Sequence, residues 1–415
     1  MSNNTMGRRE FVGGLALGTA AMLVYPPKVR GANDRVRVGM IGVGGRGQEL
    51  LKWVVTIPNV EVVAIADVYK RRFDEAKSTV PSLQTFDDHR RLLDVKDIDA
   101  VLIASPLHMH ARHFLDTLAA GKDLYCEKTM TWSIAEAEQC LNAARSSRQI
   151  VTIGLQHESS GSLADAKQWI NQELTGKVTQ VEAWMSRNTP HGQGQWVRPV
   201  PADCSAGNVR WDAFLNGRAA RPFDAYKFIN WRLFWEFSGG NVTENMVHQI
   251  AWIITALDLD LPTSAYMSGG VFSEKDGREV PDTIAVTLNY PNDLVVLWQS
   301  VFNNSRYGLG ERFLGSDGTI EHVSGVTDMV TGKSASAIHF YPEKANRPNG
   351  SALTGKSQDQ NHMANFIDCV RSRKQPNAPI EVGYRSAVAG HMANLAYRTK
   401  KVITLEEAKA TPPSL

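Results

Sequence analysis

The sequence shows little charge imbalance and little cysteine. Its 415 residues carry 45 Lys and Arg against 43 Asp and Glu, a net charge of +2. A balance so close to neutral gives no reason to expect nucleic acid or an anionic membrane as a partner, so we expect small molecules. The four cysteines form no CxxC pair and no metal-ligand spacing, which predicts buried free thiols rather than disulfides. They are Cys126, Cys140, Cys204 and Cys369.

The N-terminal part lacks an apolar run long enough to span a bilayer, which takes about 20 residues. Its apolar stretch, Gly13 to Tyr25, is shorter and directly follows Arg8-Arg9-Glu10-Phe11-Val12. Twin arginines before a short apolar segment are typical of a twin-arginine export leader. We therefore predict that residues 1–33 are a signal peptide and that the protein is periplasmic or otherwise exported, with no stable membrane association after cleavage. An uncleaved leader that acts as an anchor is the alternative.

A glycine-rich turn follows the apolar segment Val36 to Ile41. It reads Gly42-Val43-Gly44-Gly45-Arg46-Gly47. In a dinucleotide-binding turn the first glycine (Gly42) allows the tight turn, and the second (Gly44) lets the backbone approach the phosphates. The third (Gly47) lets the following helix pack on the strand. Arg46 lies within the turn, and we include it among the cofactor-binding residues.

The next apolar run, Val60 to Ala66, ends at Asp67. A carboxylate at that place accepts hydrogen bonds from the ribose hydroxyls of the adenosine moiety, so we predict NAD as the cofactor. Arg71 and Arg72 follow closely and could hold a 2′-phosphate, which leaves NADP as the less favoured alternative.

From Val36 to about Leu155, strand-length apolar runs alternate with helix-period segments, which predicts a doubly wound parallel sheet. We assign residues 34–156 to this Rossmann domain and residues 157–415 to a second α/β domain. The second part has longer β-rich runs, predicted to be neighbouring antiparallel strands. The predicted strands there are Val178 to Ser186, Thr283 to Tyr290 and Leu294 to Phe302. The segment from His191 to Asn230 shows little periodicity and is predicted to be a long loop over the site.

Chemically useful side chains follow two predicted strands of the parallel sheet. One strand ends in Ser105-Pro106-Leu107-His108-Met109-His110, and the next in Glu127-Lys128-Thr129. Such strand ends line the cofactor crevice, so we predict that Ser105, His108, His110 and Glu127 contact the cofactor. Lys128 beside a nicotinamide could exchange a proton with a substrate hydroxyl. The alternative is an ion pair on a solvated loop.

Glu244 and His248 stand four residues apart at the start of an apolar helical run. This spacing places both on one helix face, where the carboxylate could orient and charge the imidazole. A metal site is the alternative, because His108, His110 and His113 cluster and Glu244 and His248 could face them. The spacing is not that of HExxH, so we predict no metal. Aromatic residues of the long loop suggest stacking on a sugar ring; they are Trp196, Trp211, Phe223 and Tyr226.

Taken together, these residues resemble the Gfo/Idh/MocA oxidoreductases. The resemblance extends from about Arg35 to Lys401 and includes a late helix that begins near Asn365. It implies a nicotinamide enzyme with a Rossmann domain, followed by an α/β domain whose large, open, mostly antiparallel sheet forms the oligomer interface. We accordingly expect a dimer or tetramer and a substrate that is a sugar, polyol or related compound.

The resemblance also implies roles for individual residues. Lys128 would transfer the proton, His248 would be its partner across the substrate, and Glu244 would assist. Trp231 and Arg232 match a segment that contacts the cofactor in exported relatives, and Gln156 falls near the nicotinamide end. This chain has Glu-Lys-Thr where the family has Glu-Lys-Pro, and Glu244 replaces the usual aspartate.

Three functions remain open at the level of the sequence. The first is an exported oxidoreductase that transfers hydride between tightly bound NAD and a secondary hydroxyl of a sugar, polyol or glycoside. The second is a redox-neutral NAD-dependent glycosidase or epimerase. The pair Glu127-Lys128 weighs against the glycosidase branch, which lacks it. The third is a non-catalytic sugar-binding protein.

Overall fold

The computed structural model describes residues 35–306, 308–327 and 334–412, so the predicted leader lies outside the described residues. The first part of the chain forms a six-stranded, wholly parallel sheet in the order β3-β2-β1-β4-β5-β6. The strands are β1 Val36–Ile41, β2 Val60–Ala66, β3 Gln84–Phe86, β4 Ala100–Ile103, β5 Asp123–Glu127 and β6 Val151–Gly154. The predicted doubly wound parallel sheet is confirmed, and strand β3 is an addition to it.

Five helices connect these strands. They are α1 Gly45–Val54, α2 Arg71–Lys77, α3 His89–Leu93, α4 His110–Ala119 and α5 Ile134–Arg145. Helix α5 begins at a capping box, in which the Ser133 side chain accepts from the backbone N–H of Glu136 while the Glu136 carboxylate accepts from the backbone N–H of Ser133. The right-handed connections place the carboxyl ends of β1, β2, β4 and β5 at one edge, where a ligand crevice opens.

The second part builds a nine-stranded sheet in the order β14-β13-β12-β11-β7-β10-β9-β8-β15. Its strands are β7 Val178–Met185, β8 Ser264–Gly270, β9 Thr283–Tyr290, β10 Leu294–Val301, β11 Leu309–Gly315, β12 Gly318–Thr327, β13 Ser334–Pro342, β14 Leu353–Thr354 and β15 Ile403–Thr404. The mostly antiparallel sheet is confirmed, with one correction. Strand β7 lies parallel to β10, because the chain between them crosses over through helices instead of a hairpin.

The helices of this part are α6 Gly161–Asn171, α7 Trp211–Leu215, α8 Ala225–Ile229, α9 Val247–Leu257, α10 His362–Ser372, α11 Ile380–Thr399 and α12 Leu405–Ala410. Helices α6, α9 and α11 pack on one face of the large sheet, whose strands alternate buried and more exposed residues. Helix α10 instead packs on the parallel sheet through Met363, Phe366, Ile367 and Val370. All four cysteines are buried free thiols. Among the described residues, no helix is both long and apolar enough to cross a membrane.

Candidate active site

The glycine turn between β1 and α1 has the geometry that a dinucleotide requires. Gly42 has a φ of +82°, and a Cβ there would lie 2.5 Å from the backbone nitrogen of Ser105. At Gly47 a Cβ would lie 2.2 Å from the Gly42 carbonyl oxygen, so helix and turn touch. At Gly44, by contrast, a Cβ would meet nothing within 4 Å. Only this second glycine faces open space, which is where a pyrophosphate would approach the N–H groups of α1.

Asp67 lies at the carboxyl end of β2 and lines the same crevice. Its carboxylate accepts from the backbone N–H of Val43 at 2.8 Å and of Tyr69 at 2.9 Å, so it also braces the glycine turn. Burial raises the pKa of Asp67. Arg71 pairs with Glu75 and Asp203, and Arg72 pairs with Glu75. Both arginines are neutralised by carboxylates, so the residues present fit NAD better than a 2′-phosphorylated cofactor.

A buried polar network lies beneath the crevice. The Arg46 Nε donates to Glu127 Oε1 at 2.8 Å, and the Gln156 Nε2 donates to the same oxygen at 3.2 Å. Gln156 also donates to the Tyr125 hydroxyl at 2.7 Å. These contacts join β5, β6 and α1 and fix the backbone that leads to Lys128. Arg46 and Gln156 therefore lie at the predicted end of the cofactor site, with Glu127 as their common acceptor.

Lys128 lies beside the carboxylate of Glu244. Its Nζ donates to the Glu244 main-chain oxygen at 2.8 Å and to Oε2 at 3.3 Å. The same Oε2 accepts from Arg232 Nε at 3.1 Å. Burial alone would raise the pKa of Glu244, but the charges of Lys128 and Arg232 lower it to about 2. An ionised carboxylate therefore holds two cations, one from the parallel sheet and one from the long segment before α9.

The predicted relation between Glu244 and His248 is wrong in one respect. Residues 242–246 form a π-helical turn ahead of α9, and the Glu244 carboxylate faces Lys128 and Arg232, so it does not charge the imidazole. Burial, reinforced by the charge of Lys128, lowers the pKa of His248 well below its usual value. Its Nδ1 is buried without a hydrogen-bond partner among the described residues. His248 is thus a neutral imidazole that lines the same cavity as Lys128.

Of the strand-end histidines, the structure brings His110 to the crevice and leaves His108 out of it. The His110 ring nitrogens lie 2.7 Å from the Thr129 carbonyl oxygen and 2.8 Å from the Ser105 carbonyl oxygen, which ties the two strand ends together. The prediction for His108 is wrong. Its Nε2 donates to the Phe214 carbonyl, and burial lowers its pKa to about 3. A 3₁₀ turn, Leu107–Met109, points it into an aromatic core.

The segment from His191 to Asn230 runs along the crevice, as predicted, but it contains the short helices α7 and α8. Of its aromatics, Trp196 lines the cavity. Trp211 and Phe223 are packed in an aromatic cluster, and the Tyr226 hydroxyl donates to the Asp276 carbonyl. Packing of apolar area therefore takes Trp211 and Phe223 away from the cavity, and Tyr226 lies partly exposed outside it.

The sequence analysis missed four polar residues that line the cavity. They are Glu49, Arg187, Arg198 and Asn245. Arg187 donates to Asn245 at 3.1 Å, and burial lowers its pKa. Asn245, beside Glu244, and Arg187, directly after a predicted strand, could have been included from the sequence, whereas Arg198 lies in a stretch without any periodic signal.

The crevice continues on both sides of the glycine turn. On the Asp67 side, a cavity is lined by Asp88, Met109, Arg210 and Asn216 beside the β2 carboxylate, which is where the adenosine of a dinucleotide binds in folds of this kind. On the Lys128 side, a polar cavity of about 290 Å³ lies between the two sheets. That volume is at the lower end of small-ligand sites, about 300–1,000 Å³. Ser105 lines both cavities, and Trp231 and Arg232 line the second.

The described ranges contain no metal-binding cluster of three or more His, Cys, Asp or Glu side chains.

A parallel sheet with an open glycine turn, a carboxylate at the end of β2 and a lysine at the end of β5 is the arrangement of a nicotinamide-dependent oxidoreductase. The chain belongs to the Gfo/Idh/MocA oxidoreductase family. The model of the family's NAD-binding Rossmann fold matches residues 36–155, and the model of its C-terminal alpha/beta domain matches residues 216–405. The first of these models describes an NAD-binding fold, so the cofactor of this chain is NAD.

Solved structures share the architecture. The scyllo-inositol dehydrogenase of Lactobacillus casei, with bound NAD(H) and scyllo-inositol, has a TM-score of 0.64 at 17% identity and covers 90% of this chain and 100% of its own. The aldose-aldose oxidoreductase of Caulobacter crescentus, complexed with glycerol, has a TM-score of 0.65 at 15% identity and covers 89% of this chain and 99% of its own. At such identity these likenesses show the fold alone.

Curated relatives match over shorter stretches. A glycosyl hydrolase family 109 protein of Stenotrophomonas maltophilia is 38% identical over 133 residues, 29% of this chain and 29% of that protein. An alpha-N-acetylgalactosaminidase of Shewanella oneidensis is 28% identical over 195 residues, 43% of this chain and 42% of that protein. The chain thus aligns with less than half the length of these relatives.

Proposed function

We propose that this protein is an exported oxidoreductase that transfers hydride between tightly bound NAD and a secondary hydroxyl of a sugar, polyol or glycoside. The observation that carries the proposal is the placement of Lys128 and His248. They come from different parts of the chain and line one polar cavity that continues into the glycine turn. Polar side chains around a small cavity suit a hydroxyl-rich ligand.

Each residue has a distinct role in this proposal. NAD, when bound, supplies a hydride acceptor and donor at the cavity. His248 is neutral, so it can accept the proton of the substrate hydroxyl. Lys128 donates a hydrogen bond to the substrate oxygen and stabilises negative charge that develops there. Glu244 holds Lys128 in place, and Arg232 shares that carboxylate.

The experiment is a comparison of Lys128→Met and His248→Asn with the unsubstituted protein on a panel of polyols, aldoses and aryl glycosides. We expect kcat to fall about 100- to 10,000-fold in His248→Asn, because the general base is lost. NAD binding, followed by its effect on the melting temperature, should persist in both variants. Turnover at background level in the unsubstituted protein and in both variants, with sugar binding retained, would favour a non-catalytic sugar-binding protein instead.

A redox-neutral glycosidase or epimerase is the second candidate, and the family 109 relatives favour it. In that case oxidation and reduction cancel within one turnover, and the net reaction is cleavage or inversion. Product analysis on aryl glycosides separates the two. Release of the phenol without net NADH supports the glycosidase, and stoichiometric NADH or reduced co-substrate supports the oxidoreductase.

Export and cofactor retention belong to the same proposal. Because an exported enzyme meets no pool of free NAD, we propose that the cofactor is loaded before export and regenerated by a second substrate. Native mass spectrometry of protein recovered from the export pathway reports leader removal, bound nucleotide and subunit number together. Protein with no nucleotide and no NAD-induced rise in melting temperature would refute retention. An Arg8→Lys/Arg9→Lys double variant should remain inside the cell.

A further inference from the structure

Guanidinium groups gather over the glycine turn. Arg72, Arg198 and Arg232 line the cavity that contains Gly44 and Gly45. Arg72 is paired with Glu75, and Arg232 is paired with Glu244. Among the described residues, the guanidinium of Arg198 forms no hydrogen bond or ion pair, although its backbone is hydrogen-bonded.

Arg198 lies directly above the first turn of α1. Its Nη1 is 2.9 Å from the position that a Cβ on Gly45 would take. The N-terminus of a ten-residue helix already carries partial positive charge, and the neighbouring cations add to it. Burial, with Arg232 and Arg72 nearby, lowers the pKa of Arg198. Arg198 is exposed at the mouth of the crevice, so an anion can reach the space between its guanidinium and the helix N-terminus.

The backbone of Arg198 is held rigidly. Its N–H donates to Asn230 Oδ1 at 2.7 Å, and Asn230 Nδ2 donates to its carbonyl oxygen at 3.2 Å. Asn230 is 1% exposed and directly precedes Trp231 and Arg232. Arg278 anchors the chain further by donating to the Gln195 carbonyl at 2.8 Å. The backbone of Arg198 is therefore held at the crevice, and its exposed side chain extends from there towards the first turn of α1.

Hydrogen bonds also fasten the rest of this segment to the Rossmann domain. The backbone N–H of Lys70 donates to Asn208 at 3.0 Å, and that of Arg210 donates to Val68 at 2.8 Å. The Asn216 Nδ2 donates to the His108 carbonyl at 2.9 Å. The segment thus crosses the crevice from the adenosine side to the glycine turn.

We propose that Arg198 is a pyrophosphate-binding residue, contributed by the segment outside the Rossmann domain and positioned by Asn230. The proposal rests on the NAD-binding function above and deepens it. The N–H groups of α1 bind the diphosphate from one side, and the Arg198 guanidinium binds it from the other. A cofactor held between these two parts of the chain leaves slowly, which provides a physical basis for retention.

The test measures nucleotide affinity directly, by calorimetry on full-length protein stripped of nucleotide. In Arg198→Gln we expect binding of NAD and of ADP-ribose to weaken about 10- to 100-fold, as for loss of a charge-assisted hydrogen bond. Adenosine, which has no phosphate, should bind with unchanged affinity. Arg221→Gln is the matched control, because it removes the same charge from the same segment, where Arg221 pairs with Glu236. That variant should bind all three ligands normally.

A second variant guards against a folding defect. Arg198→Lys keeps the charge but not the bidentate fork, so its affinity for ADP-ribose should fall between those of the other two proteins. Equal binding of ADP-ribose by the unsubstituted protein and Arg198→Gln would overturn this inference and leave the proposed function intact. If the unsubstituted protein bound neither NAD nor ADP-ribose, both would be overturned. Equal losses for adenosine and ADP-ribose would assign Arg198 a structural role and also overturn the inference.

Discussion

Replacing Glu244 with glutamine should uncouple the two cations that meet at its carboxylate. Lys128 Nζ lies 3.3 Å and Arg232 Nε lies 3.1 Å from Oε2. At an effective dielectric constant of about 20, each contact is worth about 5 kcal/mol before desolvation is subtracted. The net contribution of the Glu244 charge to the free energy of unfolding follows from the pKa of Glu244, which the two cations lower from 4.5 to about 2. That shift corresponds to about 3 kcal/mol, since one pKa unit is about 1.4 kcal/mol.

Glutamine mimics the protonated carboxyl, so Glu244→Gln should lower the free energy of unfolding by about 3 kcal/mol at pH 7. Because the pKa of Glu244 is lower in the folded protein than in the unfolded chain, its contribution is complete above about pH 4.5. The contribution is lost as the pH falls towards 2. Urea denaturation at pH 7 and at pH 4 measures this difference, which should shrink at the lower pH.

Activity should respond as well, because Lys128 loses the acceptor that holds its Nζ. We expect kcat to fall about 10- to 100-fold with a smaller change in KM, the cost of a misplaced catalytic group. Glu244→Asp is the control, since it keeps the charge on a side chain about 1.5 Å shorter. It should recover most of the stability and part of kcat. A Glu244→Gln protein with normal stability and normal kcat would refute the reasoning.

Two further predictions concern the glycine turn and a buried acid. Gly47→Ala should destabilise the fold by about 1–3 kcal/mol, because its Cβ would press on the Gly42 carbonyl. Gly44→Ala should leave the melting temperature unchanged yet weaken NAD binding, and the opposite pattern would contradict the assignment. Burial raises the pKa of Glu158 from 4.5 to about 7. The carboxyl group is therefore ionised in the folded protein only above about pH 7, and its ionisation there lowers the free energy of unfolding by about 3 kcal/mol compared with pH 4.5. Glu158→Gln should therefore gain stability relative to the unsubstituted protein between pH 5 and pH 8 in thermal melts, and a pH-independent difference would count against it.

Residues close together in the chain were predictable. The strand before Gly42, the turn itself and the carboxylate of Asp67 follow from local geometry, because one strand, one turn and one helix N-terminus form a dinucleotide site within about 30 residues. The same holds for Lys128, whose position depends only on where β5 ends. Helix α5 likewise begins at its capping box.

Contacts between distant segments were not predictable from local patterns. The sequence predicts His108 at the crevice because it follows a strand. In the structure it is buried in an aromatic core against Phe214, which lies about a hundred residues away in the chain. Strand β7 pairs parallel with β10 because helices intervene, and no hairpin signal distinguishes that outcome.

The sequence by itself determined the Rossmann half, its cofactor and the position of Lys128 after β5, since those depend on short-range spacing. Only the tertiary structure decided what Glu244 does and that Arg198 faces the glycine turn. Glu244 pairs with cations from two other segments, and Arg198 is placed by Asn230, 32 residues further along. Electrostatic and hydrogen-bond partners in a buried site are chosen by proximity in space, which the order of residues along the chain does not encode locally.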